Sequence, residues 1–158
     1  MTNLQKALCD FITPGTVFIG IGNCLRGDDA LGPEFVAALA QQGLKVVDAG
    51  TVPENHIGSV ARLFPESILI IDVVHLDREP GSVELLESDD ISVATGFTTH
   101  TLSPVLVMDM LLQETGAPVK LLAVQPETLD FGASISPPVA RTMEHLLNII
   151  NRCLDDGS

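Results

Sequence analysis

The sequence predicts an α/β fold, a three-layer α/β/α domain built on a mostly parallel, twisted sheet, and three observations predict it. Short apolar runs rich in β-branched residues alternate with segments of helical apolar spacing through most of the chain, the order that parallel strands joined by crossover helices require. Hydrophobic residues make up 46% of the chain and aromatic ones only 4%, so the core must be Leu, Ile, Val and Ala, which suits a sheet buried on both faces. The 158 residues fit one domain, 1–158, able to bury roughly two-thirds of the surface its unfolded form exposes.

TVFIGIG, Thr16 to Gly22, is apolar, β-branched and ended by glycines, and reads as a buried strand. Ala30 to Gln42 has one apolar helical face and is preceded by two aspartates suited to capping. Leu44 to Ala49 reads as a second strand, Glu54 to Leu63 as a short helix, and SILIIDVV, Ser67 to Val74, as the clearest buried strand. Pro80-Gly81 marks a turn, and Ser82 to Glu87 is short and acidic enough for an edge strand. Ser88 to Phe97 shows no period and is left without an element. Leu102 to Glu114 is helical, with Pro104 in the first turn and Gly116 at the end. Val119 to Val124 is a further strand, and Pro138 to Leu154 a final helix.

Acidic residues outnumber basic ones by 21 to 8, for a formal charge of −13. That field repels phosphate backbones and anionic lipid, which argues against nucleic acid or a membrane surface as partner, while it attracts basic protein segments and cations. Cys9, Cys24 and Cys153 are far apart and form no Cys-x-x-Cys pair, so neither a disulfide framework nor a structural zinc site is expected. Lys6 and Asp10 interrupt the N-terminal stretch where a signal peptide needs an apolar run, and no later run reaches membrane-spanning length. A cytoplasmic protein is the expectation.

In an open α/β sheet, ligands bind where the carboxyl ends of the strands meet helix N-termini. That rule selects GNCLRGDDALG, IIDVVH and TTHTLSP. The first is not a dinucleotide fingerprint, because Leu25 stands where the third glycine belongs. It also lacks the Lys-Ser or Lys-Thr of a phosphate loop, and adjacent carboxylates oppose a phosphate. Asp28 and Asp29 are open to two readings, helix cap or cation ligand. Asp72 closes an apolar run, where a carboxylate is desolvated unless a partner offsets the cost. His100, taken singly, is a hydrogen-bonded structural histidine as readily as a ligand. Together Asp29, Asp72 and His100 form a mixed oxygen and nitrogen set suited to a divalent transition metal. His75 is held in reserve, ahead of His56 and His145. Cys24 has no histidine placed to activate it, and reads as a small buried residue.

The stretches GIGNCLRGDDALGP, DAGTVPENHIG, ILIIDVVH and TTHTLSP, followed by VQPE, span Gly20 to Glu127. In this order and spacing they resemble the hydrogenase maturation proteases, which remove a C-terminal extension from the large subunit of nickel-iron hydrogenases. DAGTVPEN looks most like the branch that serves formate-linked and related energy-converting hydrogenases. The resemblance implies that Asp29, Asp72 and His100 contact the metal and carry catalysis in an aspartyl-type endopeptidase, and that the metal is nickel already seated in the precursor. It also implies a hydrogenase large-subunit precursor as partner. Ala30 stands where the family often has glycine, and Ala49-Gly50-Thr51 replaces a frequent Gly-Gly-Thr; neither change removes a ligand. The attacking group stays open between a metal-polarised carbonyl and a metal-activated water, with a carboxylate such as Asp29 as base. A zinc hydrolase using the same three residues, and a noncatalytic nickel carrier, are the competing readings.

Overall fold

The computed structural model describes residues 2–94 and 103–156. Thr16–Ile21 (β1) and Ser67–Val73 (β3) are buried along their whole length and pair side by side in the sheet. Lys45–Gly50 (β2) flanks β1, and Val119–Val124 (β5) flanks β3. These four strands are parallel. Val83–Leu86 (β4) closes the edge antiparallel to β5, giving the order β2-β1-β3-β5-β4. Burial on both faces is why β1 and β3 read as continuous apolar runs, whereas edge strand β4 tolerates Glu84 among its apolar residues.

Among the described residues six helices cover the sheet: α1 (Asn3–Phe11), α2 (Leu31–Gln41), α3 (Ile57–Ala61), α4 (Ser88–Ala94), α5 (Pro104–Thr115) and α6 (Pro137–Asp156). The pleat of β3 divides the core between them. Leu69, Ile71 and Val73 join Leu8 of α1, Phe35 of α2 and Leu146 of α6, whereas Ile68 and Ile70 join Val60 of α3, Ile91 of α4 and Met108 of α5. Helices therefore pack on both faces, the three-layer α/β/α architecture that the alternating pattern predicts. Among the described residues no helix is long and apolar enough to cross a membrane.

Two expectations are corrected. Cys9 and Cys153 form a disulfide between α1 and α6, their Cα atoms 4.7 Å apart across a separation of 144 residues. Nothing in the local spacing reveals that the terminal helices meet, so the pairing is invisible until the chain is folded. The segment beginning at Ser88 is helical rather than unassigned. Its first turn carries Asp89 and Asp90, which favour a helix N-terminus, and the Asp90 carboxylate accepts the Glu87 N–H at 2.9 Å. For α5 the expected Pro104 in the first turn and Gly116 at the end are as found, Gly116 taking a left-handed cap with φ 73°, while the Ser103 hydroxyl, which the sequence reading does not single out, accepts the Val105 N–H.

One close approach aligns the site. A Cβ at Gly32, in the first turn of α2, would collide with the backbone of Ile21, and one at Gly20 would collide with the Gly32 carbonyl. Glycine at both positions lets α2 begin directly on β1. From β1 the chain crosses through α2 to β2 on one side, then returns through α3, on the opposite face, to β3 on the other. The carboxyl ends of β1 and β3 thus flank a topological switch point, where open α/β sheets hold their ligands.

Candidate active site at the β1 and β3 carboxyl ends

The loop leaving β1 folds back sharply. Gly22 has φ 150°, donates its N–H to the Gly50 carbonyl at 2.8 Å, and has no room for a Cβ, which would strike the Asp29 carbonyl oxygen. The Asn23 N–H then donates to Asp29 Oδ2 at 2.9 Å, and the Leu25 N–H to Asn23 Oδ1 at 2.9 Å. A 3-10 turn, Gly27–Ala30, carries both aspartates into α2 and packs against β3. Asp29 is 1% exposed.

Asp72 is the penultimate residue of β3 and 2% exposed. It shares its face of the strand with Ile68 and Ile70, and so lies on the side of the sheet covered by α3, α4 and α5. Gly20 of β1 pairs with Ile71, so Asp72 lies one step beyond, at the exit of β1 where the Asp29 loop departs. Both buried carboxylates lie at the carboxyl ends of the strands that flank the switch point. His100, the third residue of the expected set, lies outside the described residues. Among the described residues no group of three His, Cys, Asp or Glu side chains is arranged to hold a metal ion. Of the other histidines, His75 is exposed just past β3, His56 ends a 3-10 turn after β2, and His145 is exposed on α6.

The capping reading of the aspartates does not hold. Neither the 3-10 turn nor α2 has a side-chain cap. Asp28, 0% exposed, instead reaches the segment after β5. Its Oδ2 accepts the N–H groups of Glu127 at 2.7 Å and Thr128 at 3.1 Å and the Ser136 hydroxyl at 2.9 Å; its Oδ1 accepts the Ser136 N–H at 2.6 Å. The Asp28 N–H also donates to the Thr128 carbonyl at 2.9 Å. A buried carboxylate is tolerable because four donors replace its water. Gln125 acts similarly for the exit of β3: its Oε1 accepts the Leu76 N–H at 2.6 Å, and its Nε2 donates to the Pro126 carbonyl at 3.0 Å. These supporting residues escaped the sequence reading. The only trace of them was the VQPE stretch, which on its own suggests no contact.

Cys24 is exposed, not buried as its residue type suggests. It sits at the outer bend of the Gly22–Asp29 loop, where the side chain points away from the core.

A family model described as hydrogenase maturation protease matches residues 33–153. The chain belongs to the hydrogenase maturation protease family. Hydrogenase 3 maturation protease of Escherichia coli K12 is 31% identical over 131 residues, covering 81% of this chain and 83% of the relative. A putative hydrogenase maturation protease of Methanocaldococcus jannaschii is 31% identical over 151 residues, covering 89% and 88%. The crystal structure of a [NiFe] hydrogenase maturation protease from Thermococcus kodakarensis superposes with a TM-score of 0.79 at 26% identity, covering 98% of this chain and 99% of that one. By that membership this maturation protease is an endopeptidase, and its α/β/α fold is the fold of its solved relatives.

Proposed function

We propose that this maturation protease removes the C-terminal extension of a nickel-loaded hydrogenase large-subunit precursor, using Asp29, Asp72 and His100. The observation that carries the proposal is the convergence of two buried carboxylates, 1% and 2% exposed, on one switch point. A desolvated carboxylate is costly unless hydrogen bonds, a cation or a proton offset the loss of water, and two of them at one strand-end crevice suit a cation-reading site. Oxygen donors from Asp29 and Asp72 with an imidazole from His100 match the mixed donor set that a divalent transition metal accepts. In this reading the nickel arrives as part of the substrate. The three side chains read its presence and bring the scissile bond beside them, and one of the two carboxylates serves as general base. Cytoplasmic location follows from the same reading, since the precursor has to be met before it matures.

The test is to incubate the purified protein with nickel-loaded and nickel-free large-subunit precursor and to weigh the products by mass spectrometry. Loss of a C-terminal peptide from the loaded precursor alone is the expected result. Cleavage of both forms would remove nickel from the recognition step, and cleavage of neither would overturn the proposed substrate. Asp72→Ala and His100→Ala are each expected to abolish processing with the thermal midpoint retained; full activity in either would remove that residue from the site.

A further inference from the structure

We infer that Leu25 and Phe131 form a rigid apolar docking patch beside the active site, and that its occupant is an apolar segment of the precursor carrying lysine or arginine. The inference rests on the proposed substrate and deepens it.

Both side chains are far out of the core, Leu25 at 63% and Phe131 at 72% exposure. A single exposed leucine would mean little. These two, however, come from loops more than a hundred residues apart whose backbones are joined by a specific framework. Arg26 and Phe131 form an antiparallel bridge, the Gly132 N–H donates to the Leu25 carbonyl at 2.9 Å, and the Arg26 guanidinium lies 5.4 Å from the centre of the Phe131 ring. Arg26 Nε also donates to the Leu129 carbonyl at 3.3 Å. Beneath this pair the Asp28 carboxylate ties the same two loops through Glu127, Thr128 and Ser136. Two large apolar side chains are thus held outward on a fixed backbone, so a partner that covers them loses little conformational entropy on their account. Their loop is the one that folds Asp29 into the switch point, which makes the patch continuous with the active site.

Charge selects the occupant. Glu127 and Asp130, both exposed, lie in the Phe131 loop, and the whole chain carries −13. Arg26, the cation of this framework, is engaged with the ring of Phe131 and the Leu129 carbonyl. An apolar side chain with neighbouring Lys or Arg matches this surface, and an acidic segment is repelled by it.

The experiment compares wild type, the double variant Leu25→Ser/Phe131→Ser, and Phe64→Ser. Phe64, at 84% exposure, follows α3 in the connection that leads into the amino end of β3, away from the strand ends that carry the site. Binding of purified precursor is titrated by calorimetry, and processing is followed by mass spectrometry. The double variant should bind at least tenfold more weakly and show a KM raised in proportion, with an unchanged thermal midpoint, while Phe64→Ser behaves as wild type. In wild type, bound precursor should slow alkylation of the exposed Cys24 thiol several-fold. Equal binding by the double variant, or unslowed Cys24 alkylation at saturating precursor, overturns the patch. Cleavage with a KM that ignores the double substitution sinks the patch and leaves the peptidase reading standing. Patch-dependent binding without cleavage does the reverse, and no binding by wild type overturns both.

Discussion

Asparagine at position 28 is the smallest substitution that tests the buried tether. The side-chain amide can keep one oxygen where Oδ2 now receives Glu127, Thr128 and the Ser136 hydroxyl. Those three hydrogen bonds then lose their charge, each falling from about 2 kcal/mol to about 1 kcal/mol. The amide nitrogen takes the place of Oδ1 and meets the Ser136 N–H, now 2.6 Å from its acceptor, donor against donor. Ser136 is buried, so water cannot replace the partner, and a buried N–H left unpaired costs roughly 1–3 kcal/mol. Relief of the buried charge gives part of this back. The expected net loss is about 3 kcal/mol, a large part of the ~5–15 kcal/mol that holds a typical domain. Urea unfolding of wild type and Asp28→Asn at constant m-value measures it. A loss below about 1 kcal/mol would refute the four-donor account of this carboxylate. Asp29→Asn, one position along, is expected to abolish processing while costing less stability than Asp28→Asn.

Other substitutions test other parts of the frame. Gly22→Ala places a Cβ against the Asp29 carbonyl at φ 150°, so it should cost at least about 2 kcal/mol in denaturant unfolding and lower processing by displacing Asp29. The Cys9–Cys153 disulfide closes a loop of 144 residues, which in the chain-entropy account is worth about 5 kcal/mol; Cys153→Ser should lower the urea midpoint in the absence of reductant and match wild type in its presence. Thiol titration of the unfolded chain should find one thiol before reduction and three after it. Ser103→Ala removes the cap that accepts the Val105 N–H and should cost about 1 kcal/mol in the same unfolding assay.

The parts of the fold that were legible in the sequence are those whose cause is local. β1 and β3 lie between two layers of helices, so every residue faces apolar surroundings and the run of Ile, Leu and Val is unbroken. α5 announces both ends, with Pro104 at one and Gly116 at the other. Asp29 and Asp72 could be picked out because strand ends in a parallel sheet converge whatever the details of the loops. What could not be read depends on partners distant in sequence. Asp28 looks like a cap because its partners, Glu127, Thr128 and Ser136, are about a hundred positions away. Cys9 and Cys153 meet only because α1 and α6 pack on the same face of the sheet. Cys24 follows the average for cysteine until the loop's outward bend is known.

The 3-10 turn also sends the two adjacent aspartates to different surroundings. Two neighbouring carboxylates, both buried, would repel each other strongly if they shared one environment. At three residues per turn, successive side chains diverge by roughly 120°, and each carboxylate here meets its own donors: Asp28 those of the 127–136 segment, Asp29 the Asn23 N–H beside Gly22. One charge fixes the loop and the other lies at the switch point. The fixed charge also ties down the loop that carries Phe131, so the proposed docking patch and Asp29 belong to one hydrogen-bonded framework. If the precursor docks at Leu25 and Phe131 as proposed, weakening the Asp28 tether should degrade binding and processing together.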